Sequence, residues 1–310
     1  MLRTLLLLLA LPALAQAQPF PNRPITIINP TAAGASTDVL ARAMLPTLQA
    51  RLGQPVVVVN REGGSSSLGT AAVARAAPDG YTLLFAAAYS LSVLPVIRTD
   101  TGYTAASFTP VCQAFINTMV LAVRPESPFA TLADYITRAR QGGATFGHQG
   151  VASIPHLAMV ELAQSAGVTL QDIPYRGDPP VVVATIAGRV DAGAMVLGSL
   201  RGQNLRALAV FGAARHPMLP DTPTVREAGW NVAPESFGGI LAPANLPSPI
   251  RDTLASACEA AVADPGYREV ARRGFQPENL YLNPADFAAK LQRDIAAKAT
   301  LLRGISVQPQ

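Results

Sequence analysis

The chain has 310 residues and a formal net charge of +4, spread along its length without a basic run, which argues against nucleic-acid binding. Aromatic residues make up only 6%, too few to suggest a sugar-stacking site. The 27 prolines mark many turns and short loops, and the length suffices for two lobes with separate cores.

The first residues read as an export signal. Met1-Leu2-Arg3 is a short positive start, Leu5–Leu14 is almost wholly apolar, and both Ala13–Ala15 and Ala15–Ala17 fit a small-x-small cleavage site. The apolar run is too short to cross a bilayer comfortably. Residues 1–17 are therefore expected to be a cleavable signal peptide. The mature chain is expected to be soluble and periplasmic, because no later segment has enough unbroken apolar residues for a membrane helix. An oxidising compartment permits a bridge between Cys112 and Cys258. Cys258, however, falls on the apolar helix face Ile250, Leu254, Cys258, Ala261, so two buried free thiols are the expectation.

The next third alternates strand and helix. Ile25–Asn29 predicts a strand, Thr37–Leu52 a helix with Leu40, Met44, Leu48 and Leu52 on one face, and Val56–Val59 a β-branched strand. Pro46 should kink that helix and Gly53 should end it. Ser67–Ala76 predicts a helix and Tyr81–Ala86 a strand. The pattern restarts with strand Met119–Val123, helix Leu132–Arg140, strand Thr145–Gly147, helix Ile154–Ala166, strand Leu170–Ile173, helix Pro180–Ala187, and strands Val190–Met195 and Leu205–Phe211. Alternation of this kind argues for mostly parallel sheets flanked by helices. Two such units predict two α/β lobes with a cleft between them. Helices Pro249–Ala263 and Pro265–Arg273 follow. A last helix is opened by Asn283-Pro284 and has Phe287, Leu291, Ile295 and Leu302 on its face. The expected division is lobe 1 over 18–112 and 236–310, and lobe 2 over 113–235.

Four constellations carry chemistry. In Thr31–Asp38 a strand empties into small residues and a helix start, where the free N–H groups of Gly34, Ala35 and Ser36 suit a carboxylate and Asp38 meets the helix dipole. Phe146–Leu157 repeats this design, with Gln149, Gly150 and Ser153 in the turn and His148 and His156 as ligands or bases. Hydrogen-bonded loop histidines are the better reading, since no metal-ligand spacing accompanies them. Asn60–Thr70 holds Gly63-Gly64 and the serines Ser65, Ser66 and Ser67, which cap a helix or face the cleft. In Asp172–Asp178, Tyr175 is placed to close over a ligand. Asp191 enters an apolar stretch and serves binding or architecture.

These blocks together resemble one family over nearly the whole chain: the Bug receptors, the periplasmic substrate-binding components of tripartite tricarboxylate transport systems. The resemblance rests on PNRPITIINP with its following G and TD, LGQPVVVVNR with GG and LGT, PDGYTLL, FTPV, FGHQG with its S and HLA, PYRG, LRALAV and LPDTPTVREAG. It implies a two-lobed periplasmic-binding-protein fold of the type II kind, whose cleft closes on a small organic carboxylate held by two βα loops. It also implies no enzyme activity, no cofactor, and membrane transporter subunits as partners; the residues offer no metal-site spacing, and a monomer is the default expectation. Carried over, the first loop is Gly34, Ala35, Ser36 and Asp38, and the second is Gly150, Ser153 and His156, with Ser66, Ser67, Tyr89 and Tyr175 as walls. The chain departs from the family pattern in carrying Ala35 and Ala152 where glycines are usual, and Thr31-Ala32-Ala33 in place of a proline-rich approach. An added methyl narrows the approach of a carboxylate or opposes a positive φ. Two other functions fit the same sequence: a receptor that signals to a membrane sensor protein, and, remotely, a hydrolase using Ser153 and His156.

Overall fold

A computed structural model describes residues 20–232, 234–277 and 280–303. The expected signal peptide lies outside the described residues. The chain builds β1 (Ile25–Asn29), α1 (Ser36–Leu52), β2 (Val56–Asn60), α2 (Ser67–Ala74), β3 (Thr82–Ala87), the short α3 (Tyr89–Ser92) and α4 (Leu94–Ile97), and β4 (Phe108–Asn117). A second unit follows: β5 (Met119–Val123), α5 (Leu132–Arg140), β6 (Thr145–His148), α6 (Ile154–Ala166), β7 (Gln171–Pro174), α7 (Asp178–Ile186), β8 (Ala192–Val196) and β9 (Arg206–Phe211). The chain closes with β10 (Ser236–Pro243), α8 (Ser248–Ala263), α9 (Pro265–Arg273) and α10 (Pro284–Arg303).

Two five-stranded sheets result, ordered β2-β1-β3-β10-β4 and β7-β6-β8-β5-β9. Each has two parallel pairings on one side, where strand–helix–strand units repeat, and two antiparallel pairings on the other. The antiparallel strands include those by which the chain crosses. β4 belongs to the first sheet through Asn117, β5 opens the second at Met119, and β10 returns between β3 and β4. Gly238 and Gly239 sit at a register shift in β10. A Cβ there would lie 2.2 Å from the Ala86 carbonyl and 2.0 Å from that of Cys112, so only glycine allows this strand to enter between its neighbours.

Apolar layers on both faces hold each sheet. β-branched Ile25, Ile27 and Val56 meet the α1 stripe Leu40, Met44, Leu48 and Leu52 and the α8 residues Leu254 and Cys258. Each of those large α1 side chains contributes about 1.5–3 kcal/mol by leaving water. α1 runs through Pro46 and ends at Gly53, whose φ of +63° makes the left-handed cap. On the other face, Ile28, Leu84 and Phe237 pack with Phe287 and Leu291 of α10. In the second lobe α5 and α6 cover one face of the sheet and Val181 and Val182 of α7 the other. α10 begins on the first lobe and delivers Leu302 to the core of the second, and Val93, between α3 and α4, reaches the same core. Among the described residues no helix is long and apolar enough to cross a membrane.

The expectation of two free thiols is overturned. Cys112 of β4 and Cys258 of α8 form a disulfide across 146 residues, with Cα atoms 6.6 Å apart and both residues fully buried. The helix face did bury Cys258, but what it meets there is β4, a strand the sequence reading did not predict.

Candidate functional site

The candidate loops gather at the carboxyl ends of the parallel strands. In the first lobe β1, β2 and β3 end at Asn29, Asn60 and Ala87, immediately before the Thr31–Ala35 turn, the Gly63–Ser66 turn and Tyr89. In the second, β6 and β7 end at His148 and Pro174, before Gln149–Ser153 and Tyr175. This is the edge where open α/β sheets bind ligands.

The first turn is organised from within. Asn29, fully buried at the end of β1, accepts from the Thr31 N–H at 3.2 Å and the Thr31 hydroxyl at 2.7 Å through Oδ1. Its Nδ2 is buried without a hydrogen-bond partner. The Gly34 N–H donates to Asp38 Oδ2 at 2.8 Å, and the Ala35 N–H to the Ala32 carbonyl at 3.2 Å. Two of the three donors expected to grip an anion are therefore spent inside the loop. Helix α1 starts one residue later, with Ala35 as an N-cap that offers no side-chain bond. Its N-terminus is thus left for an external acceptor.

Asp38 is a brace. Its side chain is 3% exposed and receives Gly34 N–H, the Arg42 guanidinium at 3.0 Å and Asn60 Nδ2 at 2.8 Å. Burial opposes ionisation, but the bonds from Arg42, Gly34 and Asn60 outweigh it and hold the carboxyl below its ordinary pKa. Asn60 also donates to the Thr31 carbonyl at 3.1 Å, tying the turn to the end of β2.

In the second turn, Ser153 is the N-cap of α6 and its hydroxyl accepts from the His156 N–H at 3.4 Å. The Ala152 N–H donates to His156 Nδ1 at 3.0 Å, which leaves the neutral ring's proton on Nε2, facing Asp172 Oδ2 at 3.9 Å. His148 Nδ1 accepts from the Gly150 N–H at 3.2 Å, and its Nε2–H donates to Asp172 Oδ2 at 3.2 Å. The two imidazoles stack at 4.4 Å with Phe146 beside them. Burial, then the field of His148, pushes the His156 pKa down to about 4 against the pull of Asp172. The donor atoms of His148, His156 and Asp172 lie within 4.8 Å of one another. The Ala152 N–H, however, occupies the His156 lone pair and the rings stack instead of converging. The trio is thus built as a hydrogen-bonded brace for the loop.

Backbone strain concentrates here. Of five described non-glycine residues with left-handed φ, three lie in these turns: Ser65 at +55°, Ser66 at +82° and Ala152 at +59°. Ala35, by contrast, is extended, with φ −63° and ψ 158°, so its methyl sits without strain.

The remaining candidates separate. Ser66 and Ser67 flank the start of α2, with Ser67 buried. Tyr89 opens α3 and packs against the core of the second lobe. Tyr175 donates its N–H to the His148 carbonyl at 2.8 Å, and a Cβ on Gly147 would stand 3.1 Å from its ring. Asp191 lies elsewhere: its Oδ2 accepts from the N–H and hydroxyl of Thr145 at 2.8 and 2.9 Å, at the amino ends of β6 and β8. It is architectural and away from the other candidates. Sequence reasoning missed Asn60 and Asp172 as the anchors of the two turns. Asparagine at a strand end and aspartate in an edge strand carry no local signal of a partner more than twenty residues away.

A family model described as tripartite tricarboxylate transporter family receptor matches residues 40–306. The chain belongs to this family. A UPF0065 protein of Bordetella bronchiseptica is 33% identical over the whole of this chain and 93% of its own length. Among solved structures, a TctC solute binding protein from Polaromonas superposes with TM-score 0.81 at 26% identity, over 92% of this chain and all of the other. MatC from Rhodopseudomonas palustris, solved with malate, gives 0.74 at 26% identity over 91% of this chain and 99% of the other. An R. palustris protein solved with adipate gives 0.75 at 27% over 92% and 97%. The two-lobed solute-binding fold read from the tricarboxylate-receptor motifs is thereby shown, and the family is one of receptors.

Proposed function

We propose that this family member is a periplasmic receptor that captures a small organic carboxylate between the two βα turns and presents it to the membrane subunits of a tripartite transporter. The observation that carries this reading is the uncapped N-terminus of α1 at the carboxyl edge of its sheet, with the α6 turn as its counterpart on the other lobe. Unsatisfied N–H groups and the helix dipole attract a carboxylate without a cationic side chain. The malate and adipate bound by the two R. palustris proteins support the same ligand class. Gly150 and Ser153 form the second jaw, and Ser66, Ser67, Tyr89, Gln149 and Tyr175 the walls. The hinge falls at the crossings Asn117–Met119 and Phe211–Ser236, and ligand contacts to both jaws favour the closed state. A hydrolase is disfavoured because the Ser153 hydroxyl caps the His156 backbone, while the His156 ring faces Ala152 and Asp172.

Titration calorimetry with malate, adipate and a series of monocarboxylates tests the reading, and binding to none of them overturns it. Ser36→Pro gives the sharper test. Ala35 is already extended and proline suits the first helical position, so the change deletes one helix-end donor at little cost in stability. Carboxylate affinity should drop about tenfold, the worth of one lost charge-assisted hydrogen bond, with the melting temperature held.

A further inference from the structure

A groove of about 700 Å³ lies between α6 and α10, touching the start of α6 at Ile154 and running from there along the helix. It falls within the roughly 300–1,000 Å³ typical of small-ligand sites. Its walls come from both lobes and from the segment joining them: Leu157 and Glu161 of α6, Glu235 and Phe237 at the start of β10, and Arg293 and Lys298 of α10. Glu161 stands about 12 Å along α6 from Ser153, at 1.5 Å per residue, so the charged wall is clear of the carboxylate turn.

The charges of this groove are unevenly matched. Lys290 is bound to Glu235 and rests 4.4 Å above the Phe237 ring. Lys298 pairs with Asp294 at 2.7 Å, both side chains nearly buried. Two groups of opposite sign remain. Among the described residues no hydrogen bond or ion pair holds Glu161, half-buried on α6, or Arg293, exposed on α10. The Glu161 carboxylate, half-buried beside Ile154, Leu157 and Leu301, loses hydration, and the fields of Lys298 and Arg226 offset that loss only in part, with no direct donor in place.

We propose that this groove is a second binding site, for a small apolar zwitterion of the amino-acid type. Its ammonium pairs with Glu161, its carboxylate with Arg293, and its side chain packs on Leu157, Phe237 and Leu301. Because the walls belong to both lobes and the crossing segment, lobe rotation changes the groove, and occupancy is linked to closure of the main cleft.

The test uses L-leucine with two truncated probes, 4-methylpentanoate without the ammonium and leucinamide without the carboxylate. Calorimetry is paired with fluorescence of Trp230, the single tryptophan, which packs on the second lobe six residues before β10. Leucine should bind at least tenfold tighter than either probe and shift the Trp230 emission. Glu161→Gln should reduce leucine to the level of 4-methylpentanoate. Ala297→Trp, at an exposed position on the groove wall, should abolish binding with the melting temperature unchanged. Both variants should keep the carboxylate affinity of the main cleft, while Ser36→Pro should spare leucine. Absence of leucine binding, equal affinity for the probes, or binding that survives both Glu161→Gln and Ala297→Trp would overturn the proposal.

Discussion

The two turns share a plan, strand to small-residue turn to helix, yet are secured by opposite means. The first leaves its helix uncapped and is pinned by charge: Asp38, Arg42 and Asn60 hold Gly34 and Thr31 in place. The second caps its helix with Ser153, is braced by two stacked imidazole rings, and holds Ala152 in a left-handed conformation. A family-level substitution of alanine for glycine is therefore two different events. At Ala35 the backbone is ordinary and the methyl is free. At Ala152 the fold enforces a conformation that costs an alanine about 1–2 kcal/mol, and surrounding packing must offset it.

The largest contrast is expected from the covalent tie, which belongs to the first lobe alone. Replacing Cys112 and Cys258 together by alanine should cost about 5 kcal/mol for a loop of this length. In guanidinium unfolding that loss should appear in the first lobe's transition, with second-lobe hydrogen-exchange protection retained. Equal loss in both lobes would show that they unfold as one unit.

Next come paired substitutions at the two alanines. Ala152→Val puts a β-branched residue at positive φ in a fully buried site and should cost about 3 kcal/mol in urea unfolding. Ala35→Val should change stability by less than about 0.5 kcal/mol. Similar values at the two sites would end the distinction drawn between the turns.

Acid should separate them further. His156 has its folded pKa lowered to about 4 from an ordinary value near 6.5, so the unfolded chain binds more protons between those values and stability falls as pH drops through that window. Between pH 7 and pH 5 this contributes a loss of about 2 kcal/mol, which His156→Asn, retaining an acceptor for the Ala152 N–H, should remove. Asp38 acts in the same direction but in a more acid window. Its lowered pKa gives stability that is present above the ordinary carboxylate value and lost as pH falls through its own folded pKa. Melting temperatures from pH 7 to pH 3 in wild type, His156→Asn and Asp38→Asn read both windows.

A smaller loss, about 1.5 kcal/mol, is expected from Asp38→Asn at neutral pH, since Arg42 is half-exposed and solvent screens its part of the network. Its mark should be on binding, through a Gly34–Ser36 turn that no longer holds its shape.

Much of this was legible in advance. The strand Ile25–Asn29, helices Leu132–Arg140 and Ile154–Ala166 and the C-terminal helices stand where periodicity and proline placed them, because the apolar period of each is written in its own segment. β4 and β10 were not, since they read as crossing segments and become strands only by pairing with each other and with β3 across more than a hundred residues. The pairing of Cys112 with Cys258 was missed for the same reason. At the candidate site, the two loops stand out in the sequence by their small residues and helix starts, and the structure sets both at the carboxyl ends of parallel strands. Misplacing Asp191 and reading Asp38 as a dipole partner reflect that an aspartate's role depends on which distant groups face it.

The sequence by itself determined the family, the two alternating α/β units and the two anion-suited turns, because these rest on local propensity, hydrophobic period and motif order. Only the tertiary structure decided which backbone donors stay free, which alanine carries strain, whether the cysteines meet, and that α10 leaves a charged groove beside α6. Those are questions of partners distant in the chain, settled by packing and hydrogen-bond satisfaction in three dimensions.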